Sequence, residues 1–193
     1  MQIKNKVITC VILIFFTLNL NLAAEEFNIS ASEITIDKGE DIVVGKGYVE
    51  VTDKEGKLIK ADKVTYEKSK EFITAEGSVE VLDTLGNILK TDKATYDKIN
   101  EIIATYGNSS LTIKEGYNIK SEEILYNAKK RTLSSSQNST LTDEDGNYVE
   151  VSMFQYHIEK NLFSSLGKIK IIDINKNKYF FKELHVDTKK KEM

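Results

Sequence analysis

The 193-residue chain contains no proline or tryptophan, a single cysteine and only two histidines. The single cysteine, Cys10, excludes an internal disulfide and a cysteine-based metal site. The two histidines, His157 and His185, have no ligand-type spacing, so each is interpreted as an ordinary strand residue and no metal or cofactor is expected. Because proline is absent, every backbone N–H can donate to a sheet ladder, as an extensively paired β structure requires.

The chain also lacks a basic block ahead of its last few residues. Its formal net charge is −3, with 40% hydrophobic and 30% charged residues. This composition predicts a folded body rather than a disordered chain. A mildly acidic protein cannot neutralise many phosphates, so no nucleic-acid partner is expected.

The N-terminal residues 1–24 have the pattern of an export signal. Lys4 and Lys6 form a charged start, residues 7–18 are apolar, and Ala23 and Ala24 are small. An uncleaved membrane anchor is the competing interpretation, but the apolar run is shorter than the ~20 residues of a spanning helix. The predicted organisation is a signal peptide at 1–24, a folded domain at 25–188 and a basic tail at 189–193.

A thirty-residue repeat organises the folded domain. Residues 60–66 (KADKVTY) recur as residues 90–96 (KTDKATY), and the final tyrosine recurs again as Tyr126 and Tyr156. Two glycine series keep the same period: Gly47, Gly77, Gly107 and Gly167, and Gly56, Gly86, Gly116 and Gly146. Repetition at this period indicates stacked units that bury their apolar faces against one another.

Each unit has the pattern of two strands and two turns. Apolar or small residues alternate with polar ones over residues 73–81, the period of a strand with one buried face. In the other strand, Ala61 and Val64 are three residues apart, so a regular strand would point them to opposite faces. Two apolar residues at this spacing predict a bulge or bend between them. The second glycine series marks turns. With a final strand near 179–186, the total is roughly eleven strands.

Catalytic patterns are missing from the sequence. It contains no nucleophile elbow, no phosphate-binding glycine loop and no paired-carboxylate constellation. The acidic residues alternate with lysines, which is typical of the solvent side of strands. The prediction is therefore a binding or structural protein rather than an enzyme.

The Lys-Ala-Asp segment at residues 60–62, followed by Thr-Tyr-Glu-Lys and by residues 72–81 (FITAEGSVEV), resembles the repeat of the OstA-like proteins of lipopolysaccharide transport. The resemblance covers residues 29–151 and is strongest over 29–104. It weakens after Asn108, where Gln137 replaces the expected glycine. The resemblance implies an all-β fold, an open β-jelly roll of antiparallel strands. An apolar groove between its faces would carry lipopolysaccharide acyl chains across the periplasm toward the outer membrane.

On this resemblance, twelve apolar or aromatic residues at inward-facing positions of the strands are expected to line the lipid groove. The same residues would form the core of any ordinary sandwich, which is the competing interpretation. They are Val49, Val51, Val64, Tyr66, Ile73, Val79, Val81, Tyr96, Ile103, Leu111, Tyr126 and Tyr156.

The expected partners are lipopolysaccharide and other OstA-like domains. An open array ends in unpaired strands, here near Ile29–Ile36 and Tyr179–Val186, and such edges can add strands from a neighbour. The expected location is the periplasm, with or without association with the outer membrane. Three alternatives stay open: a relative of the outer-membrane assembly protein without its membrane domain, a bitopic inner-membrane component of the same bridge, and a β-repeat scaffold or adhesin without lipid.

Overall fold

A computed structural model describes residues 27–114 and 116–189 of the chain. The predicted signal peptide and the last four residues of the predicted basic tail lie outside these residues. Within them, no helix is long and apolar enough to cross a membrane. The only helical element there is one 3₁₀ turn at Lys68–Lys70. The predicted all-β class is confirmed.

Sixteen antiparallel strand segments form the fold. They are β1 (Phe27–Ser30), β2 (Glu33–Asp37), β3 (Ile42–Asp53), β4 (Leu58–Glu67), β5 (Phe72–Leu82), β6 (Ile88–Asp97), β7 (Ile102–Tyr106), β8 (Ser109–Thr112), β9 (Asn118–Ser121), β10 (Leu125–Asn127), β11 (Thr132–Ser135), β12 (Ser139–Thr142), β13 (Tyr148–Val151), β14 (Phe154–His157), β15 (Leu162–Ile172) and β16 (Lys178–Asp187). Ten of these segments are halves of strands that are broken near their middle. Joining the halves gives eleven full-length strands, the number expected from the repeat.

The eleven strands bend to form two faces. Sheet 1 contains β2, β7, β10, β11 and β14, and sheet 2 contains β1, β8, β9, β12 and β13. The long strands β3–β6, β15 and β16 run through the bend and contribute one half to each sheet. β6 and β15 each contribute to both sheets. The strand pairs that lead from β6 to β15 along sheet 1 and back along sheet 2 therefore form a closed ring. Among the described strands, β1 and β2 pair only with β3, and β16 only with β15, so the array ends in two open edges.

A bulge in every second strand produces the bend in the long strands. In the β3–β4 pair, Gly47 and Tyr48 together oppose the single residue Asp62. Because of the extra residue, the same alternate positions of β3 point inward on both sides of the bend, whereas in β4 the inward positions shift by one residue. Ala61 and Val64 are therefore both buried. The predicted bend between Ala61 and Val64 is therefore confirmed.

The aspartate and glycine of the repeat touch each other at the bend. A Cβ atom on Gly77 would overlap Oδ2 of Asp62, and one on Gly107 would lie 2.6 Å from Oδ2 of Asp92. Gly77 also has φ of +77°, a conformation that glycine adopts at little cost. Both the close approach and the backbone angle require glycine here, which explains why these two residue types recur together.

The second glycine series closes the turns at the outer end of sheet 2. Gly86 has φ of +91°, and its N–H donates to the carbonyl of Asp83. Oδ1 of Asp83 accepts the N–H groups of Leu85 and Asn87 at 2.9 and 2.8 Å. The same aspartate-to-backbone bond occurs at Asp53, Asp143 and Asp173. The predicted glycine turns are confirmed, and an aspartate side chain organises most of them.

Lysines and glutamates alternate across the outer face of the first strands. Glu76 lies 3.1 Å from both Lys63 and Lys93, and Glu80 lies 2.9 Å from Lys90. Hydrogen bonds from Lys63 and Lys93 lower the pKa of the Glu76 carboxyl from its ordinary value of 4.5. These pairs are exposed and contribute little stability, but they keep the outer face hydrated.

Candidate functional site

The inner face between the two sheets carries two separate apolar clusters. The first cluster includes Val49 and Val79 from sheet 2, packed with Val64 and Ile73 from sheet 1. The second cluster lies toward the C-terminus and is built around Ile119, Ile124, Leu133, Val151, Phe154, Ile169 and Leu184. Both clusters draw residues from both sheets, so each holds the two faces together by burying apolar area.

The twelve residues expected to line a groove fall into three groups. Val49, Val51, Val64, Ile73 and Val79 are at most 2% exposed and form the first cluster. Six others are half-buried: Tyr66, Val81 and Tyr96 pack against the first cluster, and Leu111, Tyr126 and Tyr156 pack against the second. Ile103 is half-buried outside both clusters. Ile103 lies directly opposite Tyr96 and Tyr126, so all twelve residues share the inner face, and the first five are packed against one another in its core.

Two tyrosines form part of the half-buried border of the first cluster. Tyr66 contacts Phe27 edge to face, with ring centroids 5.3 Å apart. Burial raises the pKa of the Tyr66 and Tyr96 hydroxyls. Both side chains are therefore neutral at physiological pH and present an apolar ring with one polar tip.

The two open edges expose apolar side chains on the inner face. In β2, Ile34 and Ile36 are 46% and 60% exposed, and Ile36 lies opposite the buried Val43. In β16, Tyr179 and Phe181 are 45% and 40% exposed, and Phe181 lies opposite the buried Ile169. The repeat pattern located these edges but not these four side chains. Their alternation within each edge strand was the signal that could have identified them.

The two exposed pairs lie on opposite sheets. β2 pairs with the part of β3 that belongs to sheet 1, so Ile34 and Ile36 extend the inner face of sheet 1. The first half of β16 pairs with the part of β15 that belongs to sheet 2, so Tyr179 and Phe181 extend the inner face of sheet 2. The other sheet is better covered at each end. Buried Phe27 covers sheet 2 at the end that exposes Ile34 and Ile36, and buried Leu184 covers sheet 1 at the end that exposes Tyr179 and Phe181.

A belt of buried hydroxyl groups lines the bend of the middle strands. The hydroxyl of Ser109 donates to Oγ1 of Thr105 at 2.6 Å and lies 3.0 Å from Oγ1 of Thr91. Ser121 lies 2.9 Å from Ser135. The members of this belt are Thr91, Thr105, Ser109, Ser121, Ser135, Ser139 and Ser165. No pattern in the sequence indicated that these hydroxyls would bond to one another.

Two surface hollows and His185 are the remaining candidates for a site. The two best-formed hollows have volumes of about 270 and 380 Å³, and polar side chains such as Lys120, Thr140, Glu80 and Lys90 form most of their walls. His185 lies on the outer face, where Nδ1 is 3.0 Å from the Ser164 hydroxyl and Nε2 is 2.9 Å from Glu183. Among the described residues, no three His, Cys, Asp or Glu side chains are grouped as metal ligands.

The chain matches no family model, and no curated protein matches it. Among solved structures, it is similar to LptH of Pseudomonas aeruginosa, the LptA-homologous periplasmic component of the lipopolysaccharide transport device. The identity is 14%, over 68% of this chain and 76% of that chain, with a TM-score of 0.31. It is also similar to the TCP10 domain of Danio rerio CPAP in complex with a STIL peptide. There the identity is 9%, over 81% of this chain and 99% of that chain, with a TM-score of 0.17.

Proposed function

We propose that the protein is a periplasmic carrier that binds lipopolysaccharide through its acyl chains. The observation that carries the proposal is the pair of exposed apolar ends of the inner face, formed by Ile34 and Ile36 at one edge and by Tyr179 and Phe181 at the other. The repeat that resembles the OstA-like proteins supports the same function. The outer face instead carries alternating lysines and glutamates.

Acyl burial supplies the binding energy in this proposal. Each buried methylene contributes about 0.8 kcal/mol, so one acyl chain gives roughly 10 kcal/mol before ordering costs. The chain would first cover the exposed side chains at an edge, because these are already accessible. Contact with the four fully packed valines and Ile73 would require the two sheets to separate.

The open edges also support end-to-end stacking with related domains. If β16 of one copy pairs with β1 and β2 of the next, both sheets continue across the junction. Tyr179 and Phe181 on sheet 2 would then face Ile34 and Ile36 on sheet 1 across the interior. The contact is heterologous, because different surfaces meet, and it therefore produces an extendable array.

Photo-crosslinking tests the lipid ligand with matched positions on one strand. A benzophenone amino acid at Phe181, on the inner face, should form an adduct with lipopolysaccharide when cells are irradiated. The same probe at Phe180, 71% exposed on the outer face of the same strand, should not. Ile36 and its outward-facing neighbour Thr35 provide a second matched pair in β2. The absence of lipid adducts at both Phe181 and Ile36 would refute the carrier function.

A structural scaffold without lipid is the second candidate function. It is favoured by the tight packing of Val49, Val51, Val64, Ile73 and Val79, which a purely structural core would also show. The same crosslinking experiment distinguishes the two. A scaffold predicts protein–protein adducts alone at Phe181 and Ile36, whereas a carrier predicts lipid adducts there in addition to any protein adducts from stacking.

The periplasmic location depends on removal of residues 1–24. N-terminal sequencing of the mature protein isolated from cells should give a chain that begins at Glu25. A chain that still begins at Met1 or Gln2 would instead support the bitopic inner-membrane alternative. Osmotic-shock fractionation provides the control, because a cleaved protein should be released with other periplasmic proteins and an anchored one should stay with the membranes.

A further inference from the structure

The last strand, β16, is an open edge whose charge changes sign along its length. Lys178 and Lys182 lie in its first half, and Glu183 and Asp187 lie in its second half. Lysines alone would repel a second copy of the strand, which is how many edge strands avoid pairing. The charges of β16 would repel a parallel copy, in which lysine meets lysine, but would attract an antiparallel copy, in which lysine meets an acidic residue.

The order of inward and outward side chains in β16 is symmetric about the bend. The inward positions are Tyr179 and Phe181 before the bend and Leu184 and Val186 after it. Two exposed residues, Lys182 and Glu183, separate these pairs. Inward and outward positions therefore alternate in the same order when the strand is followed from either end. An antiparallel copy of β16 can pair along the whole strand without a bulge, and every inward residue then lies opposite an inward residue.

The backbone groups of β16 suit the same register. The N–H of Thr188, the next inward position after Val186, donates to the carbonyl of Asn161 at 2.8 Å, in the turn that precedes β15. Inward residues thus bond to β15, and outward residues direct their N–H and C=O groups to the open edge. In the antiparallel register, Lys182 lies opposite Glu183 of the second copy, and each such outward pair can exchange two backbone hydrogen bonds.

Pairing of β16 with the first strands of a second copy gives a poorer match of charges. β16 stands five repeat units after β1 and β2 and runs in the same direction, so this junction would be parallel. With the bends aligned, Glu183 would lie beside Glu33 of the second copy, and Asp187 beside Asp37 of the second copy. Like charges at neighbouring positions oppose strand pairing. The charge pattern therefore favours β16 of a second copy over its β1–β2 edge.

We infer that β16 is a docking edge for β16 of a second copy of this chain, and that the two copies form a two-fold symmetric dimer. The contact is isologous, so it closes at two copies. It continues the sheet-2 half of one copy into the sheet-1 half of the other, and the exposed Tyr179 and Phe181 of both copies meet around the axis on the joined inner face. Both β1–β2 edges stay open to a related domain. The dimer requires no lipid, so its test is independent of the carrier function.

Cysteine pairs at exposed outward positions distinguish the two junctions. In the antiparallel register Phe180 lies opposite His185 of the second copy, so a chain with Phe180→Cys and His185→Cys should form a covalent dimer under mild oxidation. Within one copy these positions are about 17 Å apart along the strand, too far for a disulfide. A head-to-tail junction would instead place Phe180 beside Ser30. Phe180→Cys with Ser30→Cys is therefore the matched control and should stay uncrosslinked. Both variants are made in the full chain with Cys10→Ser.

Sedimentation of charge variants measures the strength of the dimer. Lys182→Glu places four acidic side chains around the axis and should weaken the dimer roughly tenfold. Adding Glu183→Lys exchanges the two charges and should restore the original affinity. The inference would be overturned by a protein that sediments as a monomer or as longer arrays, by the absence of crosslinking between positions 180 and 185, by crosslinking between positions 30 and 180, or by unchanged affinity in Lys182→Glu.

Discussion

Replacing Gly77 with alanine should lower the free energy of unfolding by about 3 kcal/mol. Two effects add at this position. The backbone φ of +77° costs an alanine about 1–2 kcal/mol. The new methyl group would also lie 2.9 Å from Cβ of Asp62 and closer still to its carboxylate, which forces the neighbouring strand to move. Urea denaturation followed by circular dichroism measures the loss.

Gly86→Ala is the matched control for this prediction. Gly86 has a similar φ of +91°, but a methyl group there meets only the Lys114 side chain, at 3.4 Å. Its cost should be the backbone part alone, about 1–2 kcal/mol. Adding Asp62→Ala to Gly77→Ala should recover only the part of the loss that comes from the clash with the carboxylate, because alanine keeps the Cβ atom. Equal losses for the two single variants would show that the Asp62–Gly77 approach does not constrain the bend.

Thr105→Val should also destabilise the protein by about 3 kcal/mol, although valine has nearly the same shape. Thr105 is fully buried, and its hydroxyl oxygen accepts hydrogen bonds from the N–H of Ile124 and from the hydroxyl of Ser109. Valine removes this acceptor, so the buried N–H of Ile124 loses its partner and the Ser109 hydroxyl must turn to Oγ1 of Thr91. The loss is measured as a shift of the urea midpoint at constant slope, which shows a change in stability alone.

Thr95→Val provides the control on a neighbouring strand. Thr95 is half-buried in β6, on the outer side of sheet 1, where it pairs with Thr74 and Ala104. The same substitution there should change stability by less than about 0.5 kcal/mol, because β-branched residues suit a sheet surface. If Thr105→Val were as mild as Thr95→Val, the hydroxyl belt would have no role in holding the bend.

Much of the fold follows from periodicity in the sequence. The alternation over residues 73–81, the parity change between Ala61 and Val64, and the turn glycines each have one simple structural solution. Together they predicted eleven strands with a bulge in the repeat, and the structure confirms both. Local patterns succeeded because each feature depends on residues close together in the chain.

The candidate site was less predictable, because the fact that a side chain points inward does not show whether it lies in a packed core or lines a groove. Val49 and Tyr96 have the same phase, yet one is fully buried and the other is half-buried at the border of the first cluster. Which of them meets solvent depends on the angle between the sheets, and no local pattern encodes that angle. The hydroxyl belt was missed for a related reason, since Ser121 and Ser139 come together only when distant strands pair.

The thirty-residue period also determines how the length of this protein can change. Each unit adds two strands and returns the chain to the same phase, so a gain or loss of one unit alters the span by about 10 Å and leaves both edges as they were. A closed barrel cannot change in this way, because its strand number fixes its diameter. Duplication of a single unit thus offers evolution a way to lengthen the protein without redesigning its ends.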